Sequence, residues 1–146
     1  MIRLVISVLF LLLFGCSTSV THTFPAVDRD QLWTAMVATA GAPEYNSADI
    51  HSRWIVVDNE VKTNSERGMI EVRRTLSRIV QRPREQAQKD RRTTQFSVQL
   101  LPVEPPTVEF VSQGYSFTPV RDAHEAEHYF SALDDMLIPI HNESPN

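Results

Sequence analysis

The chain is poor in the residues from which most catalytic and metal sites are built. Among 146 residues there is one cysteine, Cys16, so no intrachain disulfide is possible and no cysteine pair can hold a metal. Its four glycines are scattered, and no GxGxxG, P-loop or GxSxG pattern occurs. That removes the usual phosphate cradles and the nucleophile elbow. The apolar run from Leu4 to Phe14 is roughly 11 residues long, well short of the ~20 needed to span a bilayer. No period of about 20 to 50 residues recurs, which excludes a repeat architecture. The net charge of −4 argues against a nucleic-acid partner.

What is present begins at the N-terminus. Arg3 precedes the apolar run, and the run closes on Leu13-Phe14-Gly15-Cys16. A positive start, a short apolar core and a small residue before cysteine make a bacterial lipoprotein signal. Residues 1–15 are therefore expected to be removed as signal peptide, leaving Cys16 acylated on sulfur. Phe14 departs from the usual small or β-branched residue at its position. Two or more acyl chains (palmitate-like) hold stably where one holds marginally, at about 0.8 kcal/mol per buried methylene. By resemblance to proteobacterial lipoproteins, Ser17 favours the outer membrane, if the cell has one. Residues 16–24 are expected to form the lipidated N-terminus and a short tether, reaching some 25 Å at about 3.3 Å per residue. The expected location is the cell envelope.

The rest has the size of one domain, expected over 25–140, with 141–146 as a disordered tail. A hydrophobic content of 42% suits a globular core. Charge is unevenly spread. Glu66 to Arg92 carries nine basic residues against four acidic, and Glu104 onward carries one basic against eight acidic. The two regions either pair inside the fold or present opposite faces.

A helix is expected over Arg29–Ala40. Asp28 caps it with Gln31 three residues on, Leu32, Trp33, Met36, Val37 and Ala40 form its apolar stripe, and Gly41 and Pro43 stop it. Strands are expected from Trp54 to about Lys62, over Met69–Gln81, over Thr93–Leu101 and over Thr107–Val111. Gly68 offers a positive φ in the first turn, and 83–90 reads as a mobile loop. Tyr115 and Phe117 either extend the fourth strand or line a loop. A second helix is expected over Asp122–Leu137, with Ala126, Tyr129, Phe130, Leu133 and Leu137 on one stripe. The expected fold is α+β: a four-stranded, mainly antiparallel sheet flanked by an N-terminal and a C-terminal helix.

Two constellations invite chemistry. His124-Glu-Ala-Glu-His128 matches the HExxH zinc-hydrolase pattern, in which two histidines bind metal and the glutamate activates water. At about 100° per residue both histidines fall opposite the apolar stripe, facing solvent. Only 18 residues remain after His128 to supply a third ligand, and no extended HExxHxxGxxH signature follows. No catalytic residue, metal or cofactor is therefore expected, and a small envelope zinc hydrolase is only an alternative. The second constellation is cationic. Arg74 and Arg78 share the strand face of Ile70, Val72, Leu76 and Val80. Either their heads snorkel from a sheet rim, or a bulge near Arg73-Arg74 exposes them, or they form an anion or partner site. Arg82, Arg84, Lys89, Arg91 and Arg92 extend the basic region toward anionic headgroups. Trp33 reads as a core anchor or a stacking platform.

The fragments Leu32-Trp33, Glu71-Val-Arg-Arg74, Pro105-Pro-Thr-Val-Glu-Phe110 and Glu127-His-Tyr-Phe130 resemble those of a group of small uncharacterised bacterial lipoproteins. The helix–sheet–helix order is similar to the helix-grip domains of outer-membrane assembly lipoproteins, a likeness of fold alone. The leading expectation is a non-enzymatic, membrane-anchored binding or scaffolding domain whose partner is an envelope protein, a glycan or an anionic lipid. A carrier of a lipid or other apolar ligand, with Trp33, Trp54 or Tyr115 near its mouth, is a further alternative.

Overall fold

The computed structural model describes residues 19–45, 53–81, 83–113 and 119–137. The expectations for the signal peptide, Cys16, Ser17, Arg82, Tyr115, Phe117 and the tail fall outside the described residues. The fold is α+β, with a five-stranded antiparallel sheet and two helices. In chain order these are β1 (Ser19–Thr23), α1 (Arg29–Gly41), β2 (Ile55–Asn64), β3 (Met69–Val80), β4 (Gln88–Leu101), β5 (Thr107–Ser112) and α2 (Pro119–Leu137). The sheet order is β1-β5-β4-β3-β2.

Two expectations about the strands need correction. Residues 19–23, expected within the tether, form an edge strand antiparallel to β5, with Ser19 opposite Val111 and Thr23 opposite Thr107. Ser-Val-Thr-His-Thr has the β-branched content of a strand but almost no apolar face, so alternation did not reveal it. His22 packs on Phe24 and Phe130, at ring separations of 4.6 and 5.3 Å, and ties this strand to α2. The second correction is at β4, which starts at Gln88 rather than Thr93. Gln88 to Arg92 are charged or polar, yet each has a β3 partner, from Val80 to Leu76. Backbone pairing, not side-chain alternation, sets the length of this hairpin.

The remaining boundaries follow local chemistry. Asp28 accepts the Asp30 and Gln31 amides at the start of α1, at 3.0 and 3.3 Å. Gly68 has φ +61°, and an added Cβ would sit 3.0 Å from the Leu100 carbonyl oxygen, so the β2–β3 turn requires glycine. The bulge considered near Arg73 lies instead on β2, between Val56 and Asp58.

Both helices cover one face of the sheet. The core joins Leu32, Met36 and Ala40 of α1 to Ile70, Val72, Phe96, Val98, Val108 and Phe110 of the sheet and to Ala126, Tyr129, Phe130 and Leu133 of α2. Phe96 and Phe110 stack at 4.7 Å, and Tyr129 packs 6.1 and 6.0 Å from them. The Tyr129 hydroxyl donates to the Met36 carbonyl at 3.0 Å, which satisfies the polar end of a buried ring and joins the helices. Trp33 is half-buried and packs against this core. No described helix is long and apolar enough to cross a membrane.

Candidate functional site

The helix-facing side of the sheet changes character along β3. Ile70 and Val72 pack in the core, and the next residue on that side is Arg74. Register places Arg74 between Asn59 of β2 and Thr94 of β4. Its side chain is only 2% exposed, which overturns the rim and bulge readings for this residue. A guanidinium taken so far from water needs partners on all its donors.

They come from four other segments. Arg74 Nε donates to Asn59 Oδ1 at 3.1 Å. Nη1 donates to the Tyr45 hydroxyl at 2.9 Å and to Glu125 Oε1 at 3.3 Å. Nη2 donates to the Ala40 carbonyl at 3.2 Å. Asn59 Nδ2 also donates to Ala40 O and Gly41 O, at 3.0 and 3.3 Å. Helix carbonyls at a C-terminus lack intrahelical partners and carry partial negative charge. Arg74 and Asn59 therefore close the end of α1, while Glu125 neutralises the cation from α2.

Glu125 is 5% exposed. It accepts from the Tyr45 hydroxyl through Oε1. Arg92 Nη2 lies 3.8 Å from its other oxygen. The carboxylate is thus held between two arginines and a phenol. Burial and the adjacent Glu125 charge push the Tyr45 pKa well above the ordinary value, so this hydroxyl stays a donor. Of the two open readings of the charge asymmetry, internal pairing is realised here: Arg74 and Arg92 from the basic middle meet Glu125 from the acidic end.

The second candidate, Arg78, sits differently. It is half-exposed and paired with Asp90, through Nε at 3.1 Å and Nη2 at 3.0 Å. Its guanidinium carbon lies 4.5 Å from the Trp54 ring centroid, and that of Arg92 lies 4.4 Å away. Trp54 thus receives cation–π contact from both arginines. Arg92 Nε and Thr94 Oγ1 are buried without a hydrogen-bond partner among the described residues.

The HEAEH motif is split by this geometry. His124 is exposed, as expected. His128 is not, which corrects the solvent-facing placement: it stacks on Tyr45 at 4.5 Å. Helical angles measured only from the sheet-facing stripe miss the 43–45 segment, which packs Tyr45 against the flank of α2. Burial lowers the His128 pKa, Arg74 and His124 lower it further, and Glu125 and a Glu44 backbone hydrogen bond oppose them. Glu125, the position that would activate water in a hydrolase, has Oε1 hydrogen-bonded to Arg74 and Tyr45 and Oε2 within ion-pair distance of Arg92, at 3.8 Å.

No family model matches the chain, and no curated protein matches it. Among solved structures, protein CV1439 from Chromobacterium violaceum is similar with a TM-score of 0.41 and 11% identity, over 84% of this chain and 97% of that one. The 18 kDa protein CC1736 from Caulobacter crescentus gives 0.33 and 16%, over 84% and 90%. Ara h 8.0201 gives 0.36 and 13%, over 84% and 97%. These likenesses are too distant to transfer a role.

Proposed function

We propose that this chain is a lipoprotein held at the cell envelope through acylated Cys16, and that its folded domain binds a partner rather than catalysing a reaction. The observation that carries the second half is the state of Glu125. A water-activating carboxylate must face a cleft and be free to take a proton. Glu125 instead neutralises a buried arginine that closes α1, and moving it would disrupt the junction of both helices with the sheet. The hydrolase reading therefore loses its base. The carrier reading also loses support, because Phe96, Phe110, Tyr129 and Phe130 fill the space between sheet and α2.

The Leu13-Phe14-Gly15-Cys16 signal supports the first half, and Ser17 favours the outer membrane. The partner classes are an envelope protein, a glycan or an anionic lipid. Crosslinking in native membranes followed by purification tests the reading. A defined partner recovered with the wild-type chain and lost with Cys16→Ser supports it. Recovery of nothing above background contradicts it, as does about one zinc per purified chain that disappears in His124→Ala.

A further inference from the structure

The outer face of the sheet is largely polar where it lies opposite the helices. A groove of about 350 Å³ there is lined by Glu60, Lys62, Glu71, Arg73, Gln95 and Gln113. Toward the β3–β4 turn the same face changes. Ile55 and Ile79 are each 63% exposed, and Val57, at the β2 bulge, is 54% exposed. Register puts Ile55, Ser77 and Arg91 in one row across three strands, with Ile79 and Lys89 paired in the row beyond. Diagonal neighbours of this kind stand about 7–8 Å apart. The result is an apolar pair flanked by two exposed cations, with Asp58 one row inward on β2. An isolated exposed isoleucine needs no explanation, but three exposed aliphatic side chains in one basic patch mark an interaction surface.

Topology gives the direction of the anchor. Ser19 lies in the row of Val111, Ser97 and Glu71. Because β1 is antiparallel to β5 and β5 to β4, β1 runs in the direction of β4 and its N-terminal end at Ser19 faces the β3–β4 turn. Cys16 lies three positions before Ser19, a reach of at most about 10 Å. Arg91 lies six residues beyond Ser97 along β4, or roughly 20 Å. Anchor and patch thus point to the same end of the molecule.

Building on the membrane-anchored reading, we infer that the outer face of the β2–β3–β4 end docks onto an anionic phospholipid surface. Ile55, Val57 and Ile79 enter the headgroup layer, and Lys89 and Arg91 contact lipid phosphates. The sheet then lies tilted against the bilayer, with both helices turned to the aqueous side.

A thiol introduced into the acylated full-length protein can be labelled alone, because the single native cysteine, Cys16, carries lipid on this reading. An environment-sensitive fluorophore on Ile79→Cys, with Ile55→Cys as a repeat, should become shielded and be quenched by spin-labelled lipid in equimolar phosphatidylglycerol–phosphatidylcholine vesicles. The same label on Glu66→Cys, in the turn at the opposite end, should stay in water. With each cation near an anionic surface contributing roughly fivefold, Lys89→Ala with Arg91→Ala should lower the docked-to-undocked ratio about 25-fold. Protein that floats with vesicles while the Ile79 label remains as exposed as the Glu66 label overturns the docked face and leaves the anchor standing. Protein that does not float overturns both. A label shielded before vesicles are added shows that a second copy of the chain covers this face, and also overturns the inference.

Discussion

Replacing Arg74 with methionine should destabilise the domain by about 3–5 kcal/mol, because it leaves Glu125 buried beside only Tyr45 and the more distant Arg92. The same change breaks the hydrogen bonds to Asn59 and Ala40, although Ala40 keeps its bond from Asn59 Nδ2. For a urea slope of about 2 kcal/mol/M, the unfolding midpoint should fall by roughly 1.5–2.5 M. Arg74→Lys should not restore it, since a point charge cannot reach Asn59, Tyr45, Glu125 and Ala40 at once. The decisive variant is the double one. Arg74→Met with Glu125→Leu removes both charges, and the coupling between the two sites should be at least about 2 kcal/mol in a double-mutant cycle. Costs that add to within about 0.5 kcal/mol would show that the two residues do not act as a pair and would refute this reasoning.

Three other outcomes follow from the same geometry. His128 resists protonation in the folded state, so its contribution to stability is complete above its ordinary pKa of about 6.5 and is lost as pH falls from there toward its lowered folded value; urea melts between pH 7.5 and 5.5 (about the range where imidazole titrates) should show a shallower loss in His128→Asn than in wild type, and equal slopes would contradict this. Tyr45→Phe removes a donor to Glu125 and an acceptor from Arg74, and should cost about 1.5–3 kcal/mol in the same melts; it should also remove part of the phenol absorbance that ionises well above pH 10, the ordinary tyrosine value. Gly68→Ala forces a left-handed backbone on alanine and crowds the Leu100 carbonyl oxygen, at a cost of about 1–2 kcal/mol by thermal melting, whereas Gly41→Ala, with open space around it, should not destabilise the fold.

The sequence was most legible where one interaction dominated a local pattern. Asp28 announced α1, Gly68 announced the β2–β3 turn, and the Ala126–Leu133 stripe placed α2 on the sheet. The parity of Arg74 with Ile70 and Val72 correctly put its side chain on the helix-covered face. Its burial was not legible, because it depends on Glu125 some 51 positions later and on Tyr45 in a segment without period. The available signal was the charge asymmetry, and Glu125 stands one residue before the buried Ala126. The β1 strand escaped notice because its stability comes from β5 and α2, not from its own alternation. The polar start of β4 escaped for the same reason: its pairing partner is visible only in three dimensions. Ile55 and Ile79, distant in sequence, share one patch only once the β2–β3 register is known.

Intact mass of the protein extracted from native membranes tests most directly whether it is a lipid-held envelope domain. The account predicts a chain beginning at Cys16 and heavier than its amino acids by the acyl groups, with Cys16→Ser abolishing that species. A chain retaining residues 1–15, or starting elsewhere with an unmodified thiol, would contradict it.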